Sequence, residues 1–106
     1  MYARRVSMKL KPNSSVEFTQ RLEKDVIPML RKQSGFRDEI TFVAPGGTDA
    51  FGVSLWDNKE SADAYNRGPY GEVTKILANV VSGTPRVDTY EVSNSTFHKI
   101  GAAAKA

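Results

Sequence analysis

Along residues 2 to 10 the side chains alternate, with Tyr2, Arg4, Val6, Met8 and Leu10 on one side and Ala3, Arg5, Ser7 and Lys9 on the other. A period of two predicts a β-strand. Lys11, Pro12 and Asn13 break the pattern, and Ser14 with Glu17 three positions later has the spacing of a capping box, which satisfies free amides at a helix start. The helix expected from there runs from about residue 15 to residue 33, because Phe18, Leu22, Val26, Met29 and Leu30 recur at spacings of three and four. Pro28 lies inside that stripe and removes one helical hydrogen bond, so a kink is expected; Ser34 and Gly35 end the helix.

Phe36 to Val43 sets Phe36, Ile40 and Phe42 against Arg37, Glu39 and Thr41, and Pro45, Gly46, Gly47 and Thr48 then supply a turn. With Ala50 to Trp56 this reads as a β-hairpin. In the second arm Phe51, Val53 and Leu55 oppose Ala50, Gly52, Ser54 and Trp56. Asp57 with Glu60 gives a second acidic cap, opening a short helix through Ala62, Ala64 and Tyr65 that Gly68, Pro69 and Gly71 interrupt. Val73, Ile76, Leu77 and Val80 form another helical stripe, closed by Gly83 and Pro85, and Arg86 to Val92 is a last strand. The order β-α-β-β-α-β is the ferredoxin-like plan of the α+β class: a four-stranded antiparallel sheet with helices on one face. Residues 1–92 form the domain, and residues 93–106, which carry no pattern, are expected to be a C-terminal tail.

The expected third strand is bulky and apolar on one side and small on the other, while helices cover only one face of such a sheet. An apolar sheet face of several hundred Å² left bare is unusual on a monomer, so a homodimer that closes two sheets face to face is expected. Fifteen Lys and Arg against twelve Asp and Glu give a formal charge of +3, with 40% hydrophobic and 25% charged residues among 106. Both signs are interspersed, as along Arg21, Glu23, Lys24, Asp25, Arg31 and Lys32, which is a solvated helix face and not a nucleic-acid surface. No apolar run reaches the roughly 18 to 20 residues of a membrane span, and the N-terminus alternates as a strand instead of forming an apolar leader. A cytoplasmic protein that engages neither membrane nor nucleic acid is the expectation. The chain has no Cys, which excludes thiol nucleophiles, disulfides and thiolate-held metals. No metal-ligand cluster is visible, Gly46-Gly47 lacks the spacing of a phosphate loop, and the single His, His98, lies in the tail.

The Gly35-Phe36 pair, Pro28, and above all the run Ser54-Leu55-Trp56-Asp57-Asn58-Lys59-Glu60-Ser61-Ala62-Asp63-Ala64-Tyr65 resemble the antibiotic biosynthesis monooxygenase-like domains of the dimeric α+β barrel superfamily. The resemblance covers residues 2 to 92. It implies a small homodimer with a ligand cavity between sheet and helices, and membership beside cofactor-independent oxygenases of quinone-like polyketides, haem-degrading enzymes and domains without known reaction. In the polyketide oxygenases an Asn on the third strand, a Trp at its end and a Tyr early in the next helix line the cavity. The resemblance gives Trp56 for the Trp but Gly52 and Ala62 for the other two, with Tyr65 three residues further on. The haem branch would use Asn, Trp and an iron-ligating His at the positions of Ser7, Tyr65 and Lys75, none of which matches, so no bound cofactor is expected.

The candidate binding residues each admit a structural reading as well. Trp56 either plugs the strand-to-helix junction or walls a pocket. Tyr65 and Tyr70 flank the Gly68-Pro69 break and either pack or donate hydrogen bonds to a carbonyl-bearing ligand. Gly52 and Ser54 either leave volume for a planar molecule or admit a close helix. Arg5, with Ser7 on the same strand face, either contacts an anion or enolate or lies at a solvated edge. No catalytic residue is identifiable. The function expected is binding of a hydrophobic, aromatic or quinone-like small molecule, with cofactor-independent oxidation as one outcome and a non-catalytic ligand-binding or interaction domain as the alternative.

Overall fold

In the computed structural model, which describes residues 1–100, nine elements follow one another. They are β1 (Tyr2–Leu10), α1 (Ser15–Arg21), a π-helical turn (Leu22–Val26), α2 (Ile27–Arg31), β2 (Phe36–Val43), β3 (Asp49–Trp56), α3 (Lys59–Arg67), α4 (Pro69–Leu77) and β4 (Val81–Glu91). All strand pairs are antiparallel and the sheet order is β2-β3-β1-β4, the ferredoxin-like arrangement, with helices on one face. The core lies between the layers and includes Phe18, Val26, Leu30, Trp56, Leu77 and Val80.

Pro28 acts through widening. It occupies the second position of α2, and its ring crowds the carbonyl of Lys24 four residues back; the backbone answers with the π-helical turn Leu22–Val26 directly upstream. Gly35 closes this helical run at φ +79, and a Cβ there would come within 2.2 Å of the Ser61 hydroxyl, so a glycine is needed both for the turn and for the approach of α3.

Three local expectations are corrected. Ser14 makes no side-chain bond to a helix amide; Glu17 pairs with Arg21 one turn on, at 2.6 Å, and that ion pair replaces the capping box. Asn58, not Asp57, caps α3, its Oδ1 accepting from the Ser61 amide at 2.9 Å, because Asp57 is drawn away to Arg37 on β2. Gly83 and Pro85 do not close a helix. The helix stops at Leu77, and both residues lie inside β4, where the pairing with β1 slips between Ser7 and Lys9. Gly83 at φ +74 makes the bulge, and Pro85 is tolerated because β4 is an edge strand.

After β4 the chain comes back to β2: the His98 imidazole contacts the Asp38 carboxylate, and Ile100 is buried. The remainder of the expected tail, residues 101–106, lies outside the described residues. The cap assignment is testable. Asn58→Ala should lose about 1 kcal/mol in urea unfolding and Ser14→Ala less than about 0.5 kcal/mol, since only the first removes a bond to a helix amide; equal losses would contradict it.

Candidate functional site

Between the helices and the sheet lies a cavity of about 400 Å³. Strand alternation builds its floor. Arg4, Val6 and Met8 rise from β1, Gly52 and Ser54 from β3, and Glu39 and Thr41 from β2. The walls are apolar side chains of the helices, chiefly Phe18, Leu22, Val26, Leu30, Val73 and Leu77, and the bulge Gly83–Pro85 of β4 forms one rim. The volume falls within the range that holds small organic ligands, and an apolar wall with few polar groups is the usual composition of such a site.

The polar floor is ordered by register. Ser54 of β3 pairs with Arg4 on one side and with Glu39 on the other, so guanidinium, hydroxyl and carboxylate side chains stand in one row across three strands. With strands about 4.8 Å apart, the Arg4 and Glu39 backbones are separated by roughly 10 Å. Arg4 is only 2% exposed. Its guanidinium donates to Asn66 Oδ1 at 2.9 Å and lies 5.0 Å from the Tyr65 ring centroid and 4.6 Å from that of Tyr70. The Gly68-Pro69 break makes this possible: it ends α3 just after Tyr65 and starts α4 just before Tyr70, so both rings reach the same guanidinium. Burial lowers the Arg4 pKa from its ordinary value, with the phenols opposing, yet leaves it charged. Burial likewise pushes Tyr65 up to about 12 and raises Tyr70, so both phenols remain neutral O–H donors at physiological pH.

Glu39 is the other pole. Thr41 Oγ1 donates to its carboxylate, and a Cβ added to Gly52 would stand 3.0 Å from Glu39 Oε2 and 3.2 Å from Thr41 Oγ1. The missing side chain at position 52 thus gives the carboxylate its place over β3. Burial raises the Glu39 pKa, and the Thr41 hydrogen bond opposes the shift.

Gly52, Ser54, Tyr65 and Tyr70 are therefore brought together at one cavity, and Arg5 and Ser7 are not. Alternation along β1 places those two on the opposite sheet face, where the Arg5 guanidinium lies 4.6 Å from the Phe51 ring centroid. Trp56 is fully buried behind the wall: its Nε1 donates to Ser54 Oγ at 2.9 Å, and its ring packs against Phe36 at 5.4 Å and Tyr65 at 5.0 Å. It positions floor and wall residues from outside the lining. Arg4 and Glu39 escaped the sequence reading, although a signal existed: Arg4 sits at the same strand parity as Val6, Met8 and Leu10, and a cation in an apolar stripe has either a partner or a purpose. Among the described residues no cluster of three or more His, Asp or Glu side chains is placed to hold a metal. Of the three positions that the resemblance assigns to the haem branch, Tyr65 lines the cavity, Ser7 lies on the far sheet face and Lys75, at the place of the iron-ligating His, is exposed beside Glu72.

Several solved structures share this architecture. A monooxygenase from the gene ActVA-Orf6 of Streptomyces coelicolor, solved in complex with nanaomycin D, superposes with a TM-score of 0.76 and 14% identity, covering 92% of this chain and 92% of that one. The fold is that of the antibiotic biosynthesis monooxygenase-like proteins. SnoaB, a cofactor-independent oxygenase from Streptomyces nogalater, has the same fold at a TM-score of 0.71 and 9% identity, covering 90% of this chain and 95% of its own. So does NE2512 of Nitrosomonas europaea, a protein of unknown function, at 0.74 and 16%, covering 90% and 91%. No protein-family model and no curated protein matches the chain in sequence. At these identities the likeness of the monooxygenase-like fold is one of backbone alone.

Glu39 supplies a prediction with a definite sign. Because its folded pKa is raised, the native state holds this proton more tightly than the unfolded chain, so ionising Glu39 costs stability as pH rises from the ordinary carboxylate range through the raised value. Glu39→Gln should raise the melting temperature at pH 7, with the gain shrinking towards about pH 4 and vanishing below it. A gain independent of pH would show that the carboxylate is not desolvated.

Proposed function

We propose that this protein binds a hydrophobic, aromatic or quinone-like molecule in the cavity between sheet and helices and works as a homodimer. The observation that carries the reading is the cavity itself: apolar helix walls over a floor of small side chains, with one buried guanidinium and two neutral phenols at one end. A ligand with a conjugated carbonyl or phenolate oxygen finds donors there, and its rings find the apolar walls.

Oxidation without a bound cofactor requires the substrate to supply the electrons as an enolate or phenolate. The protein's share is then to position that anion and stabilise its charge, a task that suits Arg4 with the Tyr65 and Tyr70 hydroxyls at the end of a largely apolar cavity. A non-catalytic ligand-binding domain is the second reading. It is favoured by Gly52 and Ala62 where the resemblance would have Asn and Tyr, and by Trp56 lying behind the wall instead of in it. Oxygen uptake over 1,4-dihydroxynaphthalene and related phenols separates the two: consumption that tracks ligand loss supports catalysis, and binding without uptake supports the second. Gly52→Leu should weaken 2-naphthol binding at least tenfold while the far-UV circular dichroism stays native, because it fills the floor and displaces Glu39, at an overpacking cost of about 1 to 3 kcal/mol. Unchanged affinity would place the site elsewhere.

The homodimer rests on the opposite sheet face. Ile40, Phe42 and Tyr90 are 45%, 47% and 50% exposed there, and Phe42 stacks on Phe51 with centroids 4.8 Å apart, an apolar surface that a second copy would cover by two-fold symmetry. Light scattering should give about twice 11.7 kDa, and Phe51→Asp should yield monomer or aggregate. A wild-type monomer at micromolar concentration would overturn this part.

A further inference from the structure

Resting on the reading of the cavity as a ligand site, we infer that the row Glu39–Ser54–Arg4 selects a bipolar planar ligand, one that presents an anionic oxygen to Arg4 and a hydroxyl hydrogen to Glu39 from opposite ends. Three features of the floor support this. The two charged side chains stand in register on either side of Ser54, so their order across the sheet is set by backbone pairing. The space that a side chain at position 52 would occupy is taken by the Glu39 carboxylate, which holds that pole over the middle of the sheet. The Asn66 bond uses one of the five N–H donors of Arg4, and Arg4 lines the cavity, which leaves donor capacity for a ligand there.

The strands carrying the poles lie roughly 10 Å apart and the Glu39 carboxylate reaches in over β3, so a flat ring system lying along the floor can address both poles at once. One-ended ligands leave a pole unanswered. A buried charge left without its partner costs far more than the same charge in water, so the site discriminates by what is missing from the ligand. Ionised Glu39 is an acceptor-only, charged pole, whereas the protonated carboxyl accepts more weakly and can also donate; Arg4 stays cationic throughout, so pH acts on one pole and not on the other.

The test is fluorescence titration of the unmodified protein at pH 8 with 6-hydroxy-2-naphthoate, 2-naphthoate, 2-naphthol and naphthalene. The bipolar ligand should bind at least tenfold tighter than either one-ended ligand. Arg4→Met should abolish the advantage conferred by the carboxylate and leave that of the hydroxyl; Glu39→Met, which removes the acceptor, should do the reverse. Because Arg4 is buried, Arg4→Lys serves as the folded control, keeping charge but losing the planar fork, and the ligand series on the wild type decides the matter if Arg4→Met does not fold. Equal affinities for all four ligands within threefold would overturn the bipolar selection and leave the apolar cavity standing. Failure of all four to bind would overturn the ligand-site reading itself.

Discussion

A guanidinium buried in the middle of the sheet is the constraint from which the rest of the site follows. Arg4 rises from a central strand into the space beneath the helices, where an uncompensated cation would cost several kcal/mol. Its compensation comes from Asn66 and the faces of Tyr65 and Tyr70, all supplied by α3 and the start of α4. Each desolvated cation–π contact is worth about 2 kcal/mol, enough to make the relative placement of these two short helices matter. A continuous helix through residues 59–77 would carry Tyr65 and Tyr70 on different faces, since five residues advance the helix by about 500°, well past one turn. The glycine and proline at 68 and 69 therefore serve the cation as much as the chain path.

Keeping that cation satisfied also keeps the layers apart. Helices that packed directly on Gly52 and Ser54 would expel the volume above them, but Arg4 with its two rings props one side of the floor and Glu39 occupies the other. Trp56 locks the arrangement from behind, bonded to Ser54 and packed between Phe36 and Tyr65. The cavity is thus a consequence of polar groups that must be accommodated, and its apolar walls are what remains of the helix stripes.

Much of this fold is legible in the sequence because its signals are local. Alternation in residues 2–10 and 50–56, the Pro-Gly-Gly turn, and the stripe from Phe18 to Leu30 each act within a few residues, and together they order the sheet. The caps were less legible, since Asp57 and Asn58 are both good capping residues, and the choice is made by Arg37 across the sheet, which claims Asp57. The same distinction divides the site. Tyr65 and Tyr70 can be found from the break between them, whereas the partnership of Arg4 with Glu39 depends on β1 and β2 both pairing with Ser54, a relation between residues 35 positions apart that no local pattern encodes. Arg5 and Ser7 share one strand face, and it is the face turned away from the cavity, which parity fixes only once Arg4 is known to point inward.

Parity also explains how one strand serves two surfaces. Along β3 the even positions Gly52 and Ser54 look into the cavity and the odd positions Phe51, Val53 and Leu55 look away from it. A one-residue slip would exchange the two sets, putting bulk into the cavity and small residues on the outer face. The Asp57 amide, bonded to the Gly35 carbonyl at 2.8 Å, and the aromatic contact of Phe36 with Trp56 pin that register at the end of the hairpin remote from its turn. The cavity and the outer face are therefore separable by substitution even though they share a backbone: changes at even positions of β3 act on the cavity, and changes at odd positions act on the face away from it.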